Sequence, residues 1–106
     1  MAHTATLDEV IEKSLRYLGE RIRIEAAYLF GSQTTGEGHE DSDIDLAVFS
    51  PDVDSMDFFQ RVRVQSDLAL KCDSRLELHL YPTRALANAR STNFAGYIVT
   101  HGKRLA

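Results

Sequence analysis

Two aspartates separated by one residue, Asp43 and Asp45, stand in the string Ser42-Asp43-Ile44-Asp45-Leu46. On an extended strand, residues i and i+2 project from the same face, about 7 Å apart along the chain. Like charges held side by side destabilise a sheet unless something positive sits between them. A pair of Mg²⁺ ions, with oxygen ligands and water completing their shells, meets that need. Two such ions suit in-line attack at phosphorus, one activating the nucleophile and the other neutralising the leaving pyrophosphate. Upstream of these acids lies Leu29-Phe30-Gly31-Ser32, separated from Asp43 by ten residues. Gly31 permits close backbone approach to a ligand. Ser32 adds a hydroxyl and an amide at the start of a turn, a cradle for β- and γ-phosphate oxygens.

A third carboxylate comes from the cleanest alternation in the chain. Over Arg75–Tyr81, Leu76, Leu78 and Leu80 face one way, while Arg75, Glu77, His79 and Tyr81 face the other. If the two strands turn their polar faces to one cleft, Glu77 can ligate the nucleophile-side metal or accept the attacking proton. His79 shares that face and reads as exposed decoration. Two competing motifs fail. Asp41, Asp43 and Asp45 mimic the start of an EF-hand loop, but Leu46 occupies the position that requires glycine. Gly31 to Gly36 matches the glycine spacing of a Walker A loop, yet Glu37-Gly38 stands where Lys-Ser/Thr must be.

The elements that must position these groups follow from periodicity. Thr6-x-x-Glu9 is a capping box. It opens a helix with Leu7, Val10, Ile11, Leu15 and Leu18 on one face, stopped at Gly19. Ile24 to Phe30 reads as a strand. Residues 31–42 read as a loop of a length that is usually functional or mobile. Asp43 to Phe49 reads as a second strand, with Ile44, Leu46 and Val48 opposite the aspartates. Residues 55–72 suit a helix with a ragged stripe of Phe58, Phe59, Val62, Ala69 and Cys72. Pro82 stops the third strand, and two helical pieces follow. Gly102 caps the last, and Lys103-Arg104 complement its dipole. This order implies an α/β (α+β) fold with helices on one face of a small mixed sheet.

The chain of 106 residues, 43% hydrophobic, can bury one core but not two, so a single domain over residues 1–106 is expected. Its formal net charge is −4, with no basic run longer than Lys103-Arg104. That argues against long nucleic acid as a partner, which requires a basic face. The lone Cys72 leaves no disulfide and no cysteine zinc site. No segment approaches the roughly 20 apolar residues of a membrane span and no signal peptide opens the chain, so a cytoplasmic protein is expected.

The Gly31-Ser32 turn, the Asp43-Ile44-Asp45 string and the Leu76-Glu77-Leu78 strand, in this order and spacing, resemble the minimal nucleotidyltransferases, small relatives of DNA polymerase β. The resemblance spans about residues 7–105 and is most specific between 28 and 48. It implies a polymerase-β-like palm that binds ATP with Mg²⁺ and transfers a nucleoside monophosphate to an acceptor hydroxyl. The family's phosphate-turn residues carry over to Gly31 and Ser32, its metal-binding aspartates to Asp43 and Asp45, and its third carboxylate to Glu77. Two departures stand out. Gln33, Thr34 and Thr35 occupy a stretch where many relatives carry a basic residue, which implies weaker triphosphate binding or a cation borrowed from a partner. The third acid, often Asp in the family, is here one methylene longer.

Minimal members of the family are typically prokaryotic antitoxins paired with HEPN-domain RNase toxins, and some move AMP onto a toxin tyrosine. The resemblance therefore implies an adenylyltransferase antitoxin whose protein acceptor arrives in trans. Two alternatives stay open at this point: a catalytically inactive palm that neutralises its partner by binding alone, and nucleotidylation of a small hydroxylated molecule such as an aminoglycoside.

Overall fold

The computed structural model describes residues 6–31 and 43–106. Ser32 and the loop positions discussed above, from Gln33 to Ser42, lie outside the described residues. The first helix, α1 (Leu7–Gly19), begins at the expected capping box: Thr6 Oγ1 accepts from the Glu9 amide and the Glu9 carboxylate accepts from the Thr6 amide. Val10, Ile11 and Leu18 are buried, with Leu7 and Leu15 packed at their margin. Ser14, also buried, donates its hydroxyl to the Val10 carbonyl, so no polar atom is stranded there.

Strands β1 (Ala26–Phe30), β2 (Ile44–Ser50) and β3 (Leu76–Pro82), with a two-residue β4 (Lys103–Arg104), form one mixed sheet in the order β3-β2-β1-β4. β1 runs antiparallel to β2 and β4, whereas β2 and β3 are parallel. A parallel pair needs a long crossover. Here it is a 3-10 turn over Pro51–Ser55 followed by α2 (Phe58–Lys71). Asp57 caps α2 through a reciprocal box with Gln60, an Asp-x-x-Gln counterpart of the box at Thr6.

The core forms two layers. Ala27, Leu29, Ile44, Leu46 and Val48, with the leucines of β3, pack against α1 and α2 on one face. Ala26, Tyr28, Phe30, Ala47 and Phe49 face the other way. There they meet α4 (Phe94–His101), which follows the short α3 (Arg84–Ala87). The α/β class and the mixed sheet stand as expected. The two long helices share a face, but the C-terminal pieces cover the opposite one, so helices on a single face is too simple. Central strands buried on both sides explain why Ala26–Phe30 is apolar throughout.

Two further expectations are corrected. The stripe of α2 is not Phe58, Phe59 and Val62, which are 65%, 79% and 39% exposed. Leu68 is fully buried, with Val64 and Cys72 beside it at i−4 and i+4. The phenylalanines occupy the first turn and rest on each other at 5.7 Å between ring centroids. Lys103 and Arg104 do not cap the last helix dipole. They turn into β4 opposite Leu29 and Tyr28, and the Leu105 amide donates to the Ala27 carbonyl. Hydrogen bonding along the outer edge of β1 outweighs a dipole contact of a few tenths of a kcal/mol. No helix among the described residues is long and apolar enough to cross a membrane.

Candidate active site

The candidate site forms where β1, β2 and β3 lie side by side. In the parallel register of β2 and β3, Asp45 is the partner of Glu77 and Ala47 the partner of His79. In the antiparallel register of β1 and β2, Phe30 is the partner of Asp45. Partnered residues project to the same face, so Phe30, Asp45 and Glu77 form one row across three strands. His79, two residues past Glu77, stands on that face as well.

The result is a compact donor cluster. Asp45, Glu77 and His79 each bring one ligand-type atom within 4.8 Å of the others. The His79 Nε2 lies 3.5 Å from Asp45 Oδ1, with the two side chains 29% and 22% exposed. That nitrogen is enclosed and has no hydrogen-bond partner, and the His79 ring leans on Phe30 at 5.1 Å between centroids. Glu77 is exposed and leaves the cluster open to solvent on one side.

Two carboxylates and an imidazole meet here without an ammonium or guanidinium among them. Coulomb repulsion between neighbouring carboxylates is largest where water is partly excluded. A divalent cation held by Asp45 and Glu77 would relieve it, and the oxygen donors fit Mg²⁺ or Mn²⁺. The imidazole is a donor Mg²⁺ seldom uses, which leaves His79 at the margin of such a site beside the Asp45 carboxylate.

Gly31 closes the other end. Its φ is +85°, a conformation that L side chains rarely adopt, and a Cβ built there would lie 2.5 Å from Asp45 Oδ2. The turn after β1 thus runs against the metal-type carboxylate, and glycine is required twice over.

Of the residues singled out from sequence, Asp45, Glu77 and Gly31 are brought together. Asp43 is not part of the cluster. It is exposed and precedes the first residue of β2, whose Ile44 amide bonds to the Arg75 carbonyl. Ser32 lies outside the described residues. His79, read as decoration, belongs to the cluster. Its same-face spacing to Glu77 was the available signal, but only the parallel register reveals that both stand over Asp45 and its neighbour.

The family described as "Polymerase beta, Nucleotidyltransferase" matches residues 12–106. A curated relative, protein adenylyltransferase MntA of Shewanella oneidensis, is 33% identical over 94 residues, which are 88% of this chain and 62% of the relative. The chain thus spans less than two thirds of that relative's length. A crystal structure of a toxin–antitoxin with AMP-PNP is 32% identical, with a TM-score of 0.65 over 95% of this chain and 73% of that one. A tri-AMPylated Shewanella oneidensis HEPN toxin in complex with MNT antitoxin gives a TM-score of 0.65 at 27% identity, over 95% of this chain and 72% of that one. By the extent of the family match and the agreement of these folds, the chain belongs to the polymerase β nucleotidyltransferase family.

Proposed function

We propose that this protein moves AMP from ATP onto a hydroxyl of a protein acceptor and serves as the antitoxin of a HEPN-type RNase toxin. The observation that carries the chemistry is the row formed by Asp45 and Glu77 across two parallel strands, closed by the Gly31 turn. The choice of acceptor is supported by the relatives: one is named a protein adenylyltransferase, and one is held with an AMPylated HEPN toxin. The unit proposed to act is the single domain over residues 1–106, in the cytoplasm.

In this reading Asp45 and Glu77, joined by Asp43 from the entry of β2, would hold two Mg²⁺ ions. When bound, the cations supply charge neutralisation on the phosphates and acidify the attacking hydroxyl. Gly31 brings backbone close to the triphosphate, and Ser32 offers its hydroxyl and amide to the phosphate oxygens. The acceptor oxygen forms a bond to the α-phosphorus as the bond from that phosphorus to pyrophosphate breaks. Glu77, the most exposed acid of the cluster, takes the hydroxyl proton in this reading.

The test is transfer of label from α-phosphate-labelled ATP with Mg²⁺ in host lysate, comparing the native chain with Asp43→Asn, Asp45→Asn and Glu77→Gln. A labelled protein band that disappears in Asp45→Asn is the expected result, and sequencing the band names the acceptor. Transfer retained in both aspartate variants would sink the site assignment. A stable complex with a partner that never gains the mass of AMP would instead establish an antitoxin that acts by binding alone.

A further inference from the structure

Large apolar side chains are exposed in two places among the described residues. One group, Phe58, Phe59 and Leu70, lies on α2. The other lies on α4, where Phe94 and Tyr97 are each 48% exposed. Only the second is connected to the candidate active site. Phe30 is the strand partner of Asp45, and its ring lies 5.6 Å from that of Phe94. Phe94 in turn is parallel to Tyr97, with 5° between the ring planes and 5.8 Å between centroids.

From these contacts we infer that Phe94 and Tyr97 form the surface on which the nucleobase of the bound nucleotide stacks. The inference rests on the nucleotide-transfer reading above and adds the recognition of the base. A nucleoside triphosphate has two unlike ends. Its phosphates belong with the carboxylate cluster and the Gly31 turn. Its base is a flat, weakly solvated ring system set apart from the α-phosphate by the ribose. Phe30 bridges a separation of that kind. With a cross-strand spacing of about 5 Å between Asp45 and Phe30, one further ring contact reaches Phe94.

Two half-exposed rings in near-parallel planes offer π surface rather than a hydrogen-bonding edge. Tyr97 is also held by His101, whose ring lies 4.8 Å away. Phe94 is held by Phe30 and by Tyr81, 6.4 Å away. Rings positioned by neighbours lose little freedom when a base settles on them. Stacking of this type accepts any base, because every base has a π face. Purines, with the larger face, are favoured.

The experiment is calorimetric binding of ATP, CTP and inorganic tripolyphosphate, each with Mg²⁺, to the native chain, Phe94→Ala, Phe94→Leu, Tyr97→Ala and Asp45→Asn. ATP affinity is expected to fall about tenfold or more in the alanine variants, the effect stacking on an aromatic ring produces. Tripolyphosphate affinity should stay unchanged, and the preference for ATP over CTP should shrink. Phe94→Leu keeps an apolar contact to Phe30 without a π face. It should behave like Phe94→Ala while unfolding at the native temperature. Unchanged ATP affinity in all three aromatic variants, or equal losses for ATP and tripolyphosphate, would overturn the stacking surface alone. If Asp45→Asn binds ATP as the native chain does, the nucleotide-transfer site itself is overturned.

Discussion

The missing side chain of Gly31 and the carboxylate of Asp45 occupy the same space, since a Cβ on Gly31 would stand 2.5 Å from Asp45 Oδ2. The turn that ends β1 therefore fixes where the Asp45 carboxylate can point, and the carboxylate dictates which residue can end β1. Gly31→Ala should act on both. The positive φ costs an alanine about 1 kcal/mol, roughly 4–8 °C in the melting temperature of a domain this size. The larger effect falls on cation binding, because the displaced carboxylate must leave the position in which it meets Glu77 and His79. Supports of metal ligands of this kind are worth about 10- to 100-fold in affinity. Thermal unfolding across a Mg²⁺ or Mn²⁺ titration is the measurement. A variant stabilised by the cation as strongly as the native chain would show that Asp45 does not depend on the turn.

The corrected face of α2 makes a sharp pair of variants. Leu68 is fully buried between α2 and the leucines of β3, while Phe59 is 79% exposed. Leu68→Ala should cost about 3 kcal/mol, combining lost burial with the cavity left behind. Phe59→Ala, although it removes the larger side chain, should stay within about 0.5 kcal/mol of native. Urea unfolding of the two variants gives both numbers, and a reversed order would restore the stripe read from the sequence.

That reversal shows what pattern can and cannot supply. The capping box at Thr6 and the alternation in β3 both rest on spacing within one segment. Such spacing survives folding wherever the segment does. The choice between Phe59 and Leu68 depends on which side of α2 meets the sheet. Both phenylalanines lie in the first turn, past the point where the helix meets the core. Register is the other hidden quantity. Asp45, Glu77 and His79 converge because β2 and β3 are parallel and aligned at Asp45 and Glu77, and no local signal states that alignment. A shift by one residue would send Glu77 to the face covered by α1 and α2. The aromatic row from Phe30 to Tyr97 was equally invisible, since it joins residues from opposite ends of the chain.

The register itself has a visible anchor just before β3. Asp73 accepts three hydrogen bonds from Arg75: from the amide at 2.8 Å, from Nε at 3.0 Å and from the terminal guanidinium nitrogen at 2.9 Å. The Arg75 carbonyl then accepts from the Ile44 amide at 2.8 Å, which aligns the first residues of β2 and β3. The Arg75 side chain holds the Asp73 carboxyl below its ordinary value of 3.8, helped by the Arg75 amide and opposed by burial. A depressed carboxyl stabilises the fold above the unfolded pKa and loses that contribution as pH falls through the folded one. Asp73→Asn should therefore be less stable than the native chain by about 1–2 kcal/mol at neutral pH. The gap should be constant from pH 5 to pH 7 and close progressively below the ordinary value of 3.8. Denaturant unfolding at several pH values measures it. A gap that persists unchanged at pH 2 would mean that the neutral hydrogen bonds, and not the carboxylate charge, anchor the strand.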